Sequence, residues 1–198
     1  MPPITDISQL DLSKKYTYAD YLTWQFDEFV ELIKGKVRRM SPAPLVAHQR
    51  ISSRLIGKIY AQLATRSCEV FHAPFDVRLT KASANGDAQI TTVVQPDICV
   101  ICDPNKIDKK GCLGAPDWII EILSPGSLAR DTKEKFDLYE ENEVPEYWIV
   151  SPGDKSVTVY VLQDGRYQVG GEYYTPSPIP VQTLPGFSIE WDEVFEGV

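Results

Sequence analysis

Long apolar runs are missing from this chain, histidine is nearly so, and no surplus of positive charge offsets its acids. Nothing in its 198 residues approaches the run of roughly 20 apolar residues a membrane helix needs. A membrane partner is therefore not expected. The opening MPPITDISQLDLSKK lacks the basic-then-apolar order of an export signal, so a cytoplasmic location is expected. With only His48 and His72, a Cys–His or Ser–His relay would need one of them beside a nucleophile, and nothing in the sequence places it there. No G-x-x-x-x-G-K-[ST] loop and no G-x-S-x-G elbow is present. The net charge of −8 and a pI near 4.8 oppose indiscriminate coating of nucleic acid. They leave room for a local basic groove and for acids neutralised by a metal.

Cysteine is sparse and shows no zinc pattern. Cys99 and Cys102 spell C-x-x-C, but inside an apparent strand an offset of three turns the two side chains to opposite faces. With Cys68 and Cys112, reduced and mostly buried thiols are expected.

What is present points to a folded α/β globule. A 43% hydrophobic share with 11% aromatics can build a core, and the length suits one domain over residues 1–198. Thr17 to Asp20 form a capping box opening a short helix. The run FVELIKGKVRRM predicts a hairpin turning at Lys34-Gly35. A long amphipathic helix is predicted over about 45–66, with Ile51, Leu55, Ile59 and Leu63 at i+4 steps. Alternation of Phe71, Ala73, Phe75, Val77 and Leu79 predicts one strand over 69–80. Two apolar runs follow, VVQPDICVIC and DWIIEIL. A helix capped by Ser127 should reach about Glu143, and EYWIV should be a further strand. SVTVYVL and YQVGGEYY predict a second hairpin at Asp164-Gly165, before a Pro-rich stretch. Helix, three strands, helix, strand is the order of one mixed sheet with helices packed on it. Its core is expected at about 45–151, with a helix-hairpin extension over 1–44 and a β-hairpin extension over 152–198.

The chemistry sits at the ends of the two apolar runs. Asp97 and Glu121 are acids on short β-branched strands, where a carboxylate is costly unless paired, hydrogen-bonded or bound to a cation. Together they make an oxygen-rich corner suited to Mg²⁺. On spacing alone, each acid capping its own strand and pairing with a nearby arginine is an equal alternative. On the second helix Lys135 falls on one stripe with Asp131 and Tyr139. There a lysine at the apolar edge, paired with Asp131, is the ordinary outcome. On the first, His48 lies mid-stripe, where a satisfied core histidine is usual and a place at a site edge rarer. Arg50, Arg54 and Lys58 line its flank, an ordinary solvated face that can also carry a phosphate backbone.

The ordered string PDICVI, DWIIEILSPGSLARDTKEKFDLYEENEVPEYWIVSP resembles the bacterial Uma-two family of restriction-endonuclease-like proteins, within the PD-(D/E)XK nuclease superfamily. ELIKGKVRRMSPAP, HQRI and TLPGF fit it too, so the resemblance spans about residues 16–196. It implies a helix-strand-strand-strand-helix-strand core, with Asp97 and Glu121 as the motif acids and Glu31 as a further acid. Leu123 stands where the superfamily has its lysine. The family commonly moves that lysine to the following helix, which the resemblance assigns to Lys135.

The expected reaction is hydrolysis of DNA phosphodiesters with Mg²⁺ or Mn²⁺, held by Asp97, Glu121 and the carbonyl of Ile122. Lys135 would serve the attacking water and Glu31 a second metal or its water. Arg50, Arg54, Lys58 and Ser127 are the candidate DNA contacts. A nuclease fold that binds DNA or protein without cutting is the alternative, favoured by the acidic charge and by Leu123. A homo-oligomeric scaffold, or a toxin-like partner whose target is a protein, is the third. Edge strands of the 156–174 hairpin make a homodimer the expected assembly.

Overall fold

A computed structural model of the chain describes residues 3–40, 45–80, 86–124 and 130–198, without the side chains of Arg130 and Asp131. The N-terminal part forms as its local signals require. Thr17 caps α1 (Tyr18–Tyr21) and Asp20 caps back, the reciprocal box. β1 (Val30–Ile33) and β2 (Lys36–Arg39) pair across Lys34 and Gly35, both at positive φ, as a two-residue hairpin turn requires. The stripe Ile51, Leu55, Ile59 and Leu63 buries one face of α2 (Val46–Leu63).

The predicted strand over 69–80 is two strands. β3 (Glu69–His72) stops before Pro74, which has no N–H for the ladder, and β4 (Val77–Arg78) joins a different sheet. VVQPDICVIC likewise divides at Pro96 into β5 (Val93–Val94) and β6 (Ile98–Ile101). A small hairpin, β7 (Ile107–Asp108) and β8 (Gly111–Leu113), precedes β9 (Trp118–Ile122). A π-helical turn, Arg130–Glu134, leads into α3 (Lys135–Glu141) and then β10 (Glu146–Ser151). Ser127, expected to cap this helix, lies outside the described residues. β11 (Ser156–Gln163) and β12 (Arg166–Tyr173) make the second hairpin, again through two positive-φ residues, Asp164 and Gly165. The Pro-rich tail is also structured. β13 (Pro178–Pro180) pairs with β14 (Ser188–Glu190), followed by α4 (Trp191–Phe195).

Two six-stranded sheets therefore replace the single sheet expected. The central one runs β12-β11-β10-β9-β6-β3, and the second runs β2-β1-β5-β4-β8-β7. Within the central sheet only β9 and β10 are parallel, as the α3 crossover requires. One of its faces packs Ile98, Trp118, Ile120 and Trp148 against α2 and the tail. The other packs Cys99, Ile119 and Tyr147 against α3 and the second sheet. The expected order survives as α2-β3-β6-β9-α3-β10, with the second sheet assembled mostly from excursions between these elements. No helix among the described residues is long and apolar enough to cross a membrane.

The thiol expectation fails in part. Cys68, just past α2, and Cys102, at the end of β6, form a disulfide. No local signal marks it, because the two are brought together by the antiparallel pairing of β3 with β6, which one step beyond Glu69↔Ile101 sets Cys68 opposite Cys102. Cys99 and Cys112 are free and buried; burial pushes both thiols up, Cys112 to about 12.

Candidate active site

Asp97 and Glu121 meet through strand register. The pairs Val100↔Trp118, Cys99↔Ile119 and Ile98↔Ile120, continued one step, set Asp97 opposite Glu121. One hydrogen bond fixes the junction, from Ile122 N–H to Asp97 Oδ2 at 2.8 Å. Leu123 N–H uses the other edge of β9, bonding to Val150. The Ile122 carbonyl shares the edge of its own N–H and so faces the Asp97 side.

Alternation turns Glu121 to the α3 face, with Ile119, while Ile120 and Ile122 face α2. On the α3 face Glu121 Oε1 accepts from Lys135 Nζ at 2.8 Å and from the Tyr139 hydroxyl at 2.6 Å. The same ammonium lies 2.9 Å from Glu31 Oε1, which also accepts the Gln95 backbone N–H at 3.0 Å. Lys135 thus joins β1 of the second sheet to β9 of the central one. Relative exposure is 0% for Glu31, 3% for Glu121 and 3% for Lys135, so the triad is closed to bulk water.

Of the residues named from sequence, Asp97, Glu121, Ile122, Lys135 and Glu31 come together. Spacing alone made Lys135 a lysine at the edge of the apolar face; it is instead buried between two glutamates, at the cluster where the resemblance puts it, and the Asp131 side chain lies outside the described part. Leu123, at the motif-lysine position, packs into the apolar cluster between sheet and α3. Arg50, Arg54 and Lys58 do not join the cluster. They meet the chain's own tail, at the carbonyls of Gly197 and Glu196 and the carboxylate of Glu193.

Three residues at the site were not read as part of it. Tyr139 is one helical turn beyond Lys135, the spacing already visible in D-x-x-x-K-x-x-x-Y. Burial first, then the charges of Glu121 and Glu31, hold its hydroxyl well above the usual tyrosine range, so it stays a donor. Gln95 donates its backbone to Glu31 while its side-chain amide bonds Asp76 at 2.8 Å. His48 reaches Asp97, Nε2 to Oδ2 at 3.1 Å, and is a site-edge residue after all.

Electrostatically, two carboxylates, Glu31 and Glu121, share one ammonium, and the third, Asp97, stands opposite Glu121 across the β6–β9 ladder. Asp97 Oδ2 takes both contacts of its carboxylate, from Ile122 and His48, and Oδ1 accepts no hydrogen bond among the described residues. Its side chain keeps 22% exposure, the most open of the three acids. No group of three or more His, Cys, Asp or Glu side chains among the described residues makes a ready metal cage. Mg²⁺ does not need one, since it binds through one or two carboxylates and keeps several waters. Asp97 Oδ1, Glu121 and the Ile122 carbonyl fit that demand, with excess negative charge to favour it.

Comparison with known proteins agrees with this frame. The model of the Uma2 family, described as "Putative restriction endonuclease", matches residues 18–192. An uncharacterised protein of Synechocystis is 24% identical over 187 residues, covering 93% of each chain. The crystal structure of a putative nuclease belonging to DUF820, from Anabaena variabilis, superposes with a TM-score of 0.70 at 23% identity. The match covers 91% of this chain and 97% of that one, and it shows a shared mixed α/β fold.

Proposed function

The chain belongs to the Uma2 family of "putative restriction endonucleases", and from that premise we propose that it hydrolyses DNA phosphodiesters with Mg²⁺ or Mn²⁺. The observation that carries the reading is the buried ammonium of Lys135, shared by Glu121 and Glu31, beside the junction that holds Asp97 against the strand bearing Glu121. A core built for stability alone would favour apolar residues there, because a buried ion cluster seldom repays its desolvation.

In this reading Asp97, Glu121 and the Ile122 carbonyl hold the cation. When bound, it supplies Lewis acidity to a phosphate oxygen and acidifies a coordinated water. The protein's own groups do the rest. Lys135, fixed from both sides by carboxylates, acts as a cation that orients the attacking water and stabilises charge developing on the phosphate. Glu31 holds that ammonium in place and is itself located by the Gln95 backbone. Tyr139 pins Glu121 by donating to Oε1. The helix row Arg50, Arg54 and Lys58 keeps its place as a candidate DNA contact only at the margins the C-terminal segment leaves uncovered.

The test is cleavage of supercoiled, linear, single-stranded and branched DNA with Mg²⁺ or Mn²⁺, beside calorimetric titration of Mn²⁺. Cleavage and binding heat that both vanish in Asp97→Ala support the reading. Pure protein that cuts none of these substrates, with Asp97→Ala indistinguishable from it, overturns the reading in favour of a binding module.

A further inference from the structure

His48 is the one histidine in contact with the acid pair, and its geometry is asymmetric. Nε2 lies 3.1 Å from Asp97 Oδ2, while Nδ1 is buried and has no hydrogen-bond partner among the described residues. The residue is 9% exposed, in the first turn of α2, two residues after the exposed Val46 and three before the buried Ile51.

We infer that His48 is a positioning residue for the proposed metal site: it carries its proton on Nε2 and donates it to Asp97 Oδ2, which turns Oδ1 of that carboxylate toward the cation position. This rests on the proposed function for its purpose but on geometry for its chemistry. A carboxylate oxygen offers only lone pairs to Ile122 N–H, so the group facing it from the other side has to be a donor. Two lone pairs at 3.1 Å would repel. The opposite tautomer would also leave a buried N–H without an acceptor, a rarer and costlier state than a bare ring nitrogen. Oδ2 then receives two donors, one from the β9 backbone and one from α2. The carboxylate cannot rotate without breaking both. Outer donors of this kind orient a metal-binding carboxylate without touching the metal.

The inference separates His48 from two other roles. A core histidine would show no dependence on Asp97. A histidine that itself ligates the cation would need Nε2 bare, with its proton on Nδ1.

The test combines a spectroscopic readout with conservative rescue. Long-range ¹⁵N–¹H correlation on the labelled protein, with His72→Gln to assign the second histidine, reads the tautomer directly. A protonated Nε2 whose proton loses its exchange protection in Asp97→Ala supports the inference. A bare Nε2, or an Nε2–H indifferent to Asp97→Ala, overturns it. Mn²⁺ titration is the second arm. His48→Leu fills the helix face but donates nothing, and should weaken binding about 10–100-fold with thermal stability unchanged or higher. His48→Gln, whose amide can donate from a similar reach, should restore affinity close to wild type. Wild-type affinity in His48→Leu overturns the inference, as does equal loss in both variants. If wild-type protein binds no Mn²⁺ at all, the proposed function fails, and the tautomer measurement decides the inference independently.

Discussion

Glu121 and Glu146 sit on neighbouring parallel strands, β9 and β10, and both are buried, yet they are satisfied in opposite ways. Glu146 Oε1 and Oε2 accept from Trp148 Nε1 at 2.8 Å and from the backbone N–H groups of Gln182 and Thr183 at 3.1 and 2.7 Å. All three donors are neutral, and two belong to the segment that joins β13 to β14, so the carboxylate ties the tail to the sheet. Glu121 faces the other side and is satisfied by a cation that it shares with Glu31, next to Asp97. A carboxylate ringed by fixed N–H groups is complete and serves the fold. A carboxylate sharing one ammonium with a second acid retains a surplus of negative charge, which is what a divalent cation requires. Burial alone does not separate the two; the identity of the donors does.

The sharpest way to break this contrast is to remove a ligand from one side only. On the proposed function, Asp97→Ala should lower DNA cleavage by about 10³-fold or more, since losing a proposed metal ligand would withdraw several kcal/mol of transition-state stabilisation. Glu146→Gln should leave turnover per folded molecule unchanged. Equal losses in the two variants, measured as initial rates at matched folded fraction, would erase the distinction.

Lys135→Met should follow in size. It keeps an aliphatic stem but leaves Glu31 and Glu121 facing each other without their cation, a change worth about 3–5 kcal/mol of stability. Urea unfolding measures it. An effect of about 0.3–0.5 kcal/mol would instead mark an exposed helix pair.

Glu146→Gln itself should cost about 1.5–3 kcal/mol, the range for hydrogen bonds to a charged group. The loss should come with earlier proteolysis in the 182–198 segment, which it anchors.

Tyr139→Phe is expected to be the mildest, about 1 kcal/mol near neutral pH. Its pH dependence carries the sign. The folded hydroxyl is held above its unfolded value near 10. Its contribution is therefore complete below about pH 10 and is lost as pH rises beyond it. Tyr21 and Tyr167 are also raised by burial, so Tyr139→Phe should lessen the alkaline loss of stability without abolishing it. Stability curves for the two proteins that run parallel through that region would contradict the burial of this group.

The two hairpins, the capping box, the stripe of α2 and the strands bearing Asp97 and Glu121 were readable from sequence because each depends on local chemistry. Positive-φ turns, periodicity of 3.6 or 2, and a cap three residues from its partner all lie within a few residues. Pro74 and Pro96 were equally visible, yet their effect, sending the chain from one sheet to another, depends on which strand waits beyond them. The sequence by itself determined the elements, the two acids and, through family resemblance, that Glu31 and Lys135 belong with them. Only the tertiary structure decided who pairs with whom. Lys135 met two buried glutamates, His48 found Asp97, Cys68 found Cys102, and the basic flank of α2 met the C-terminal segment. The reason is physical: a local pattern fixes which face a side chain takes, whereas its partner is set by elements many residues away that pack against that face.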